Sequence, residues 1–173
     1  MMKSTKLLAL AVTAGLALAA GNAQALPNPV TATFQVSATV IKACTVAATA
    51  LAFGNYTPTA GNVVNTSTIS IACTSGTPYT MTVGPGSTTG GTITQRLMTN
   101  GTQTLQYNLY TSNTYATLLG DGTTSGSSKV TGTGAGLASL ATTTVYGQLP
   151  DIAANQAVPP GAYTDTVTVS VAY

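Results

Sequence analysis

The chain has 173 residues, 44% of them apolar, yet only five basic and three acidic side chains and no histidine. So sparse a charge set builds no basic patch for nucleic acid and no electrostatic steering toward anionic membranes or ligands. The absence of histidine also removes the commonest general base of hydrolytic chemistry.

The first element in chain order is an export signal. Lys3 and Lys6 precede an apolar run from Leu7 to Ala20, and Ala23-Gln24-Ala25 has the small-x-small pattern of a signal peptidase site. The run is short for a membrane span and no second apolar stretch follows. Cleavage after Ala25 leaves residues 26–173, enough for one domain with its own core. In that remainder Lys42, Arg96 and Lys129 balance Asp121, Asp151 and Asp165, so the exported chain carries no net charge. A neutral, Thr- and Gly-rich surface does little to keep copies apart.

Next comes TATFQVSATVIKAC, residues 31–44. Phe34, Val36, Ala38 and Val40 alternate with Thr33, Gln35, Ser37 and Thr39, the period-2 pattern of a half-buried strand. Chain ends ordinarily fray, so a clean apolar face so close to the exported N-terminus needs a partner. Cys44 and Cys73 are the only cysteines, and in an exported protein the default reading is one disulfide. Closing that loop contributes about 3–4 kcal/mol in the chain-entropy account.

Further strands are predicted at Thr68–Cys73, Tyr79–Val83, Leu105–Leu109, Val145–Leu149 and Val167–Tyr173. Turn formers separate them: Gly84-Pro85-Gly86, Gly90-Gly91, Asn100-Gly101, Gly120-Asp121-Gly122 and Pro159-Pro160-Gly161. No segment sustains a 3.6-residue apolar period, so no helix is expected. The Gly/Ser/Thr-rich stretch 120–136 reads as a long, mobile loop. Many short strands rich in Thr and Val indicate an all-β fold, a β-sandwich.

Chemistry is hard to place on this frame. Nothing around Lys129, in GSSKVTG, suggests a buried neutral amine for a Ser-Lys dyad. The three aspartates are scattered, too few for paired-carboxylate catalysis or for calcium. No catalytic residue, metal site or cofactor is therefore assigned. The tyrosines offer one binding possibility: Tyr107 lies on the apolar face of its strand and Tyr110 on the other, and with Tyr115 exposed rings can form a sugar- or surface-binding patch. Core and corner tyrosines are the plainer alternative.

The sequence closes on GAYTDTVTVSVAY, with Val167, Val169, Val171 and Tyr173 on one face. A last strand at an open sheet edge invites pairing with another chain. One arrangement joins the two ends: the N-terminal strand of one molecule fills the open groove of the next.

Seven segments, in this order, resemble the spore coat protein U domain family, which includes subunits of archaic, Csu-type chaperone–usher pili. They are FQVSATVIKACTV (34–46), FGNY (53–56), CTSGTPYTMTV (73–83), RLM (96–98), LQYNLY (105–110), VYGQLP (145–150) and QAVPPGAYTDTVTVSVAY (156–173). One departure is visible: where relatives often carry Trp-Gly after the LxYNLY strand, this chain has Leu119-Gly120.

The resemblance implies an incomplete immunoglobulin-like β-sandwich, completed by a strand donated from outside. It implies a donor segment within residues 26–41, with Phe34, Val36, Ala38 and Val40 as plugs, and a pilin domain over 42–173. Val167, Val169, Val171 and Tyr173 would form the acceptor groove and chaperone-binding edge, with the Tyr173 carboxylate held by basic chaperone residues. Cys44–Cys73 would tie the first core strand to its neighbour. The implied partners are identical or related subunits, a periplasmic chaperone and an outer-membrane usher. The implied location is the cell surface, reached through the periplasm, with roles in adhesion and biofilm formation. Two alternatives remain open from the residues alone. Residues 33–40 can fold back in cis, and the chain can be a secreted coat or matrix protein or a carbohydrate- or surface-binding module.

Overall fold

Alternating apolar and hydroxylated residues do produce strands, ten of them in the computed structural model, which describes residues 28–173. The signal-peptide reading lies outside the described residues. The chain divides into two units between Thr39 and Val40, and every strand falls in the second.

The strands are β1 (Cys44–Ala48), β2 (Val63–Cys73), β3 (Pro78–Val83), β4 (Arg96–Thr99) and β5 (Thr104–Tyr110). Then follow β6 (Leu118–Leu119), β7 (Ser127–Ser128), β8 (Val130–Thr133), β9 (Ala141–Leu149) and β10 (Val169–Ala172). A seven-stranded sheet runs β1-β2-β9-β5-β6-β7, with β4 also paired to β5; a three-stranded sheet runs β10-β3-β8. All pairs are antiparallel except β6 with β7.

Period-2 alternation sets the core. Ile69 and Ile71 of β2, Tyr107 and Leu109 of β5 and Val145 of β9 meet Tyr79, Met81 and Val83 of β3. Leu119, where relatives often carry tryptophan, is fully buried in the same cluster. A Cβ on the adjoining Gly120 would sit 2.6 Å from Ile93 Cγ2, so this corner closes tightly around leucine. The disulfide joins Cys44 at the start of β1 to Cys73 at the end of β2, directly opposed in register and 4.1 Å apart at Cα.

Two expectations need correction. The stretch 120–136 is not a long mobile loop, because it contains β7 and β8. Its leading turn is held by Asp121, which accepts from the N–H groups of Thr123 and Thr124 and from the hydroxyls of Thr124 and Ser127. There is also a helix, one turn at Ala153–Gln156 (α1). A single turn leaves no periodicity to read, and its purpose lies in Asn155. That side chain is fully buried, accepts from Gln106 N–H and donates to the carbonyls of Gln106 and Pro150. It gives β5 the hydrogen bonds that β9 stops supplying at Pro150. Residues 30–43 form no strand within the single chain, although apolar and polar residues alternate there. Alternation prepares a face, but a strand also needs a ladder.

Arg96 is the most unusual core residue: it is fully buried. Burial pushes its guanidinium below the ordinary value, while Tyr107 and Asp165 act in the opposite sense. Its Nε donates to Gly84 O at 2.9 Å, Nη1 to Ile93 O at 3.3 Å, and Nη2 to Leu119 O at 2.7 Å and Val83 O at 3.3 Å. Val83 belongs to one sheet and Leu119 to the other, so a single fork of donors stitches the two layers.

Two outcomes are expected. Replacing both cysteines by serine should lower the free energy of unfolding by about 3–4 kcal/mol in urea titrations under oxidising conditions. Arg96→Met should cost more than about 3 kcal/mol, because several buried carbonyls lose their donors together. Arg96→Lys should recover only part of that loss, since an ammonium cannot reach the same spread of acceptors.

Candidate functional site

β1 and β10 are edge strands, each paired on one side only. Their inward faces are set by register. Val46 and Ala48 lie opposite Ile71 and Ile69, and Val169 and Val171 lie opposite Val83 and Met81. These positions ought to be core. Instead Val46 is 44% exposed although its partner Ile71 is 2% exposed.

Between the two edges lies a cleft of about 1020 Å³. Its floor is Ile69, Val83, Leu105, Tyr107, Leu109, Val145 and Leu149. One bank is the chain leaving β1, Ala48 to Asn55; the other is the chain approaching β10, Val158 to Val167 and then Val169. One end is closed by Leu51 and Phe53, which lean over Gly147 of β9. A Cβ at Gly147 would sit 2.6 Å from Leu51 Cδ1 and 3.1 Å from Phe53 Cζ, so glycine is required for this approach. Phe53 also packs edge-on to Tyr107, with ring centroids 6.0 Å apart.

The second bank changes allegiance along its length. Thr164 bridges to Thr99 beside β4, then Thr168 O accepts from Gly84 N–H, and β10 pairs with β3. Asp165 pins this crossing. It accepts from the backbone N–H groups of Ser87 and Thr88 at 2.9 and 3.0 Å, from both their hydroxyls, and from Tyr107 Oη at 2.6 Å. Burial pushes the Asp165 carboxyl up, but these donors outweigh it and hold it below the usual carboxylate range. Burial and the same bond push the Tyr107 phenol up. At the other end Asp151 accepts from Tyr56 Oη, Gln156 Nε2 and the N–H groups of Thr59 and Gly61, fixing the loop after Phe53. The Tyr56 and Gln156 bonds lead in drawing its carboxyl down to about 2.

The sequence-assigned acceptor residues divide. Val167 and Val169 line the cleft. Val171 packs on the core from β10, and Tyr173, beyond the strand, is 56% exposed. The assigned donor residues Phe34, Val36 and Val40 are each at least 80% exposed, and Ala38 is exposed too. Sequence reading missed Leu51, Phe53, Asp165 and Pro159 to Tyr163 as parts of the site. FGNY was visible as a motif, but nothing in its composition assigns it to a wall. Of the tyrosines, Tyr107 is buried in the floor, while Tyr110 and Tyr115 stack edge-on away from it.

Chemically, the cleft offers a long apolar floor between two banks of backbone, the arrangement that receives an extended strand. The family model of the Spore Coat Protein U domain matches residues 30–170. Among solved structures, the chain is similar to one in the crystal structure of the CsuC–CsuE chaperone–tip adhesion subunit pre-assembly complex from archaic chaperone–usher Csu pili of Acinetobacter baumannii. The TM-score is 0.54 with 21% identity over 78% of this chain and 41% of that one, a likeness of fold. The chain thus spans less than half the length of that neighbour. No curated protein matches.

The aspartate staples predict a pH profile. Asp151 and Asp165 have folded values below the unfolded value of about 3.9. Their contribution is complete above that value and is lost as pH falls through the folded ones. With no histidine and both cysteines bonded, the urea midpoint should stay flat from about pH 5 to 7 and fall below about pH 4. Asp165→Asn should lower the neutral-pH midpoint and weaken the acid dependence; an unchanged acid limb would assign it to other groups.

Proposed function

The chain belongs to the spore coat protein U domain family, and from that premise we propose that it is a non-enzymatic structural subunit of a surface pilus, assembled by chaperone and usher through donor-strand exchange. The observation that carries the proposal is the cleft: a groove of about 1020 Å³ over an apolar floor, banked by the chain leaving β1 and the chain approaching β10. The complementary part is the segment Phe34–Val40, apolar on alternate positions, exposed and without a ladder. As a strand it spans about 20 Å, and the bank from Asp165 to Ala172 spans about 23 Å at the same rise.

The energetics favour a durable joint. Burying Phe34, Val36 and Val40 contributes roughly 5–9 kcal/mol gross, at about 1.5–3 kcal/mol for each large side chain. Each ladder hydrogen bond adds on the order of 0.5–1.5 kcal/mol net. A strand held by both terms leaves slowly, so the fibre is kinetically stable. Before assembly the same cleft needs a temporary strand, which is the service of a periplasmic chaperone; the usher is where the exchange takes place. The acceptor role falls to Val167, Val169, Val171 and Tyr173, with Leu51 and Phe53 closing the far end. Adhesion and biofilm formation follow from a fibre displayed at the cell surface.

The test compares residues 26–173 with the same chain lacking 26–40, both made in an oxidising compartment and run unboiled on denaturing gels. The longer chain should give an SDS-resistant ladder and the shorter none. Stable monomers from both would show that the apolar face of 34–40 is not needed in trans, and the pilus reading would fall.

A further inference from the structure

The central strands of the larger sheet carry no charge. No Lys, Arg, Asp or Glu occurs along β2, β5 or β9, or in the 111–117 loop that follows β5. At the centre of the sheet's outward face register sets Tyr110 of β5 directly opposite Tyr146 of β9. Both point outward, because their neighbours Leu109, Val145 and Gly147 are buried. The 111–117 loop then folds back so that Tyr115 stands at 90° to Tyr110, with ring centroids 5.4 Å apart.

Tyr115 reaches that position at a φ of 54°, a left-handed conformation that bulky residues rarely adopt. It remains half-exposed. The strained turn therefore places a ring at the surface and not in the core, and strain of this kind gathers where function holds it. Polar groups border the rings. Thr66 lies opposite Tyr146 on β2, and Gln148 follows on the same face of β9. Asn108 is committed elsewhere, accepting from Arg96 N–H and donating to Thr94 O.

We propose that this corner of Tyr110, Tyr115 and Tyr146 binds a neutral polysaccharide. A sugar ring has an apolar C–H face and a rim of hydroxyls. The tyrosine rings meet the first; their phenol groups, with Gln148 and Thr66, meet the second. Charge decides against the other ligands. An acidic polysaccharide, a nucleic acid or an anionic lipid would find no counter-charge on β2, β5, β9 or the 111–117 loop around these rings, whereas an uncharged ligand loses nothing by that. The inference does not depend on the donor-strand reading, because the corner lies on the side of the sheet away from the cleft.

The full chain is passed over columns carrying an immobilised neutral polymer (hydroxyethylcellulose, laminarin or galactomannan) or alginate as the acidic contrast. At least one neutral polymer should retard it and alginate should not. Since the chain has no tryptophan, tyrosine emission should change as that polymer is added. Tyr115→Ala with Tyr146→Ala should weaken retardation at least 10-fold while the urea midpoint and the association state stay those of the unaltered chain, which separates this result from failure of folding or assembly. If the double variant does not assemble, Tyr146→Ser and the emission titration of the unaltered chain decide the matter. The proposal is overturned by no retardation with any neutral polymer, by equal retardation with alginate, or by retardation that survives the substitutions. It is also overturned if they abolish only association between copies, which would make the face a protein contact.

Discussion

A sandwich is closed only when each sheet's apolar face is covered along its whole width, and here the cover stops short between β1 and β10. Val46 faces the same side as Ile71 yet is 44% exposed, so its exposure follows from its place on an edge strand and not from its chemistry. The cleft and the two edges paired on one side only are one fact seen from two sides. An edge with an apolar floor beside it is an aggregation hazard unless its partner is specified. Under the proposed donor-strand reading, period-2 alternation supplies that specification, since a slip of one residue would turn every apolar side chain of 34–40 away from the floor.

Keeping such a cleft open demands rigidity around it, and the means are polar. Residues 26–173 carry few charges, and the structure spends most of them on backbone. Arg96 gathers carbonyls from both layers; Asp121, Asp151 and Asp165 each gather N–H and O–H groups from a turn or a neighbouring segment. Buried carbonyls and amides at a place where ladders end are costly when unpaired, and one fork or one carboxylate satisfies several at once. Asn155 does the same for β5 with a neutral amide. These residues hold the banks of the cleft at a fixed separation before any strand arrives, which lowers the ordering cost of the strand that fills it.

The sequence made the strands legible because burial on one face writes itself as period 2. Ile69 and Ile71, Tyr107 and Leu109, and Val145 are buried where alternation places them. The disulfide was legible from composition, since two cysteines in a chain read as exported have one obvious fate. What stayed hidden shares a cause: it depends on contacts far apart in the chain. Asp165 meets Ser87 and Thr88 across 78 and 77 residues, and Asn155 meets Gln106 across 49. No local pattern announces such a partner. Arg96 looked like one of three scattered cations, because a buried guanidinium is recognised only when its carbonyls are in view. The 120–136 stretch looked mobile because Gly, Ser and Thr are turn formers, yet the same residues supply the hydroxyls and N–H groups that Asp121 ties down.

The two faces of the larger sheet follow opposite rules, and the contrast bears on function. The inner face is organised by exclusion of water: it is aliphatic, its one buried cation is bound to carbonyls, and its open part asks for another apolar face. The outer face is organised by the absence of charge. Its residues are hydroxyls, amides and a corner of tyrosines that remain half in contact with water. A fold that only needed solubility would place charge there, which is the ordinary remedy for an exposed sheet. This chain instead keeps the surface neutral and bends the backbone at Tyr115 to bring a third ring to it. Assembly through the inner face would repeat the outer one along a fibre. A weak site for a neutral chain-like ligand then gains strength from repetition, because each further contact is made at high effective concentration.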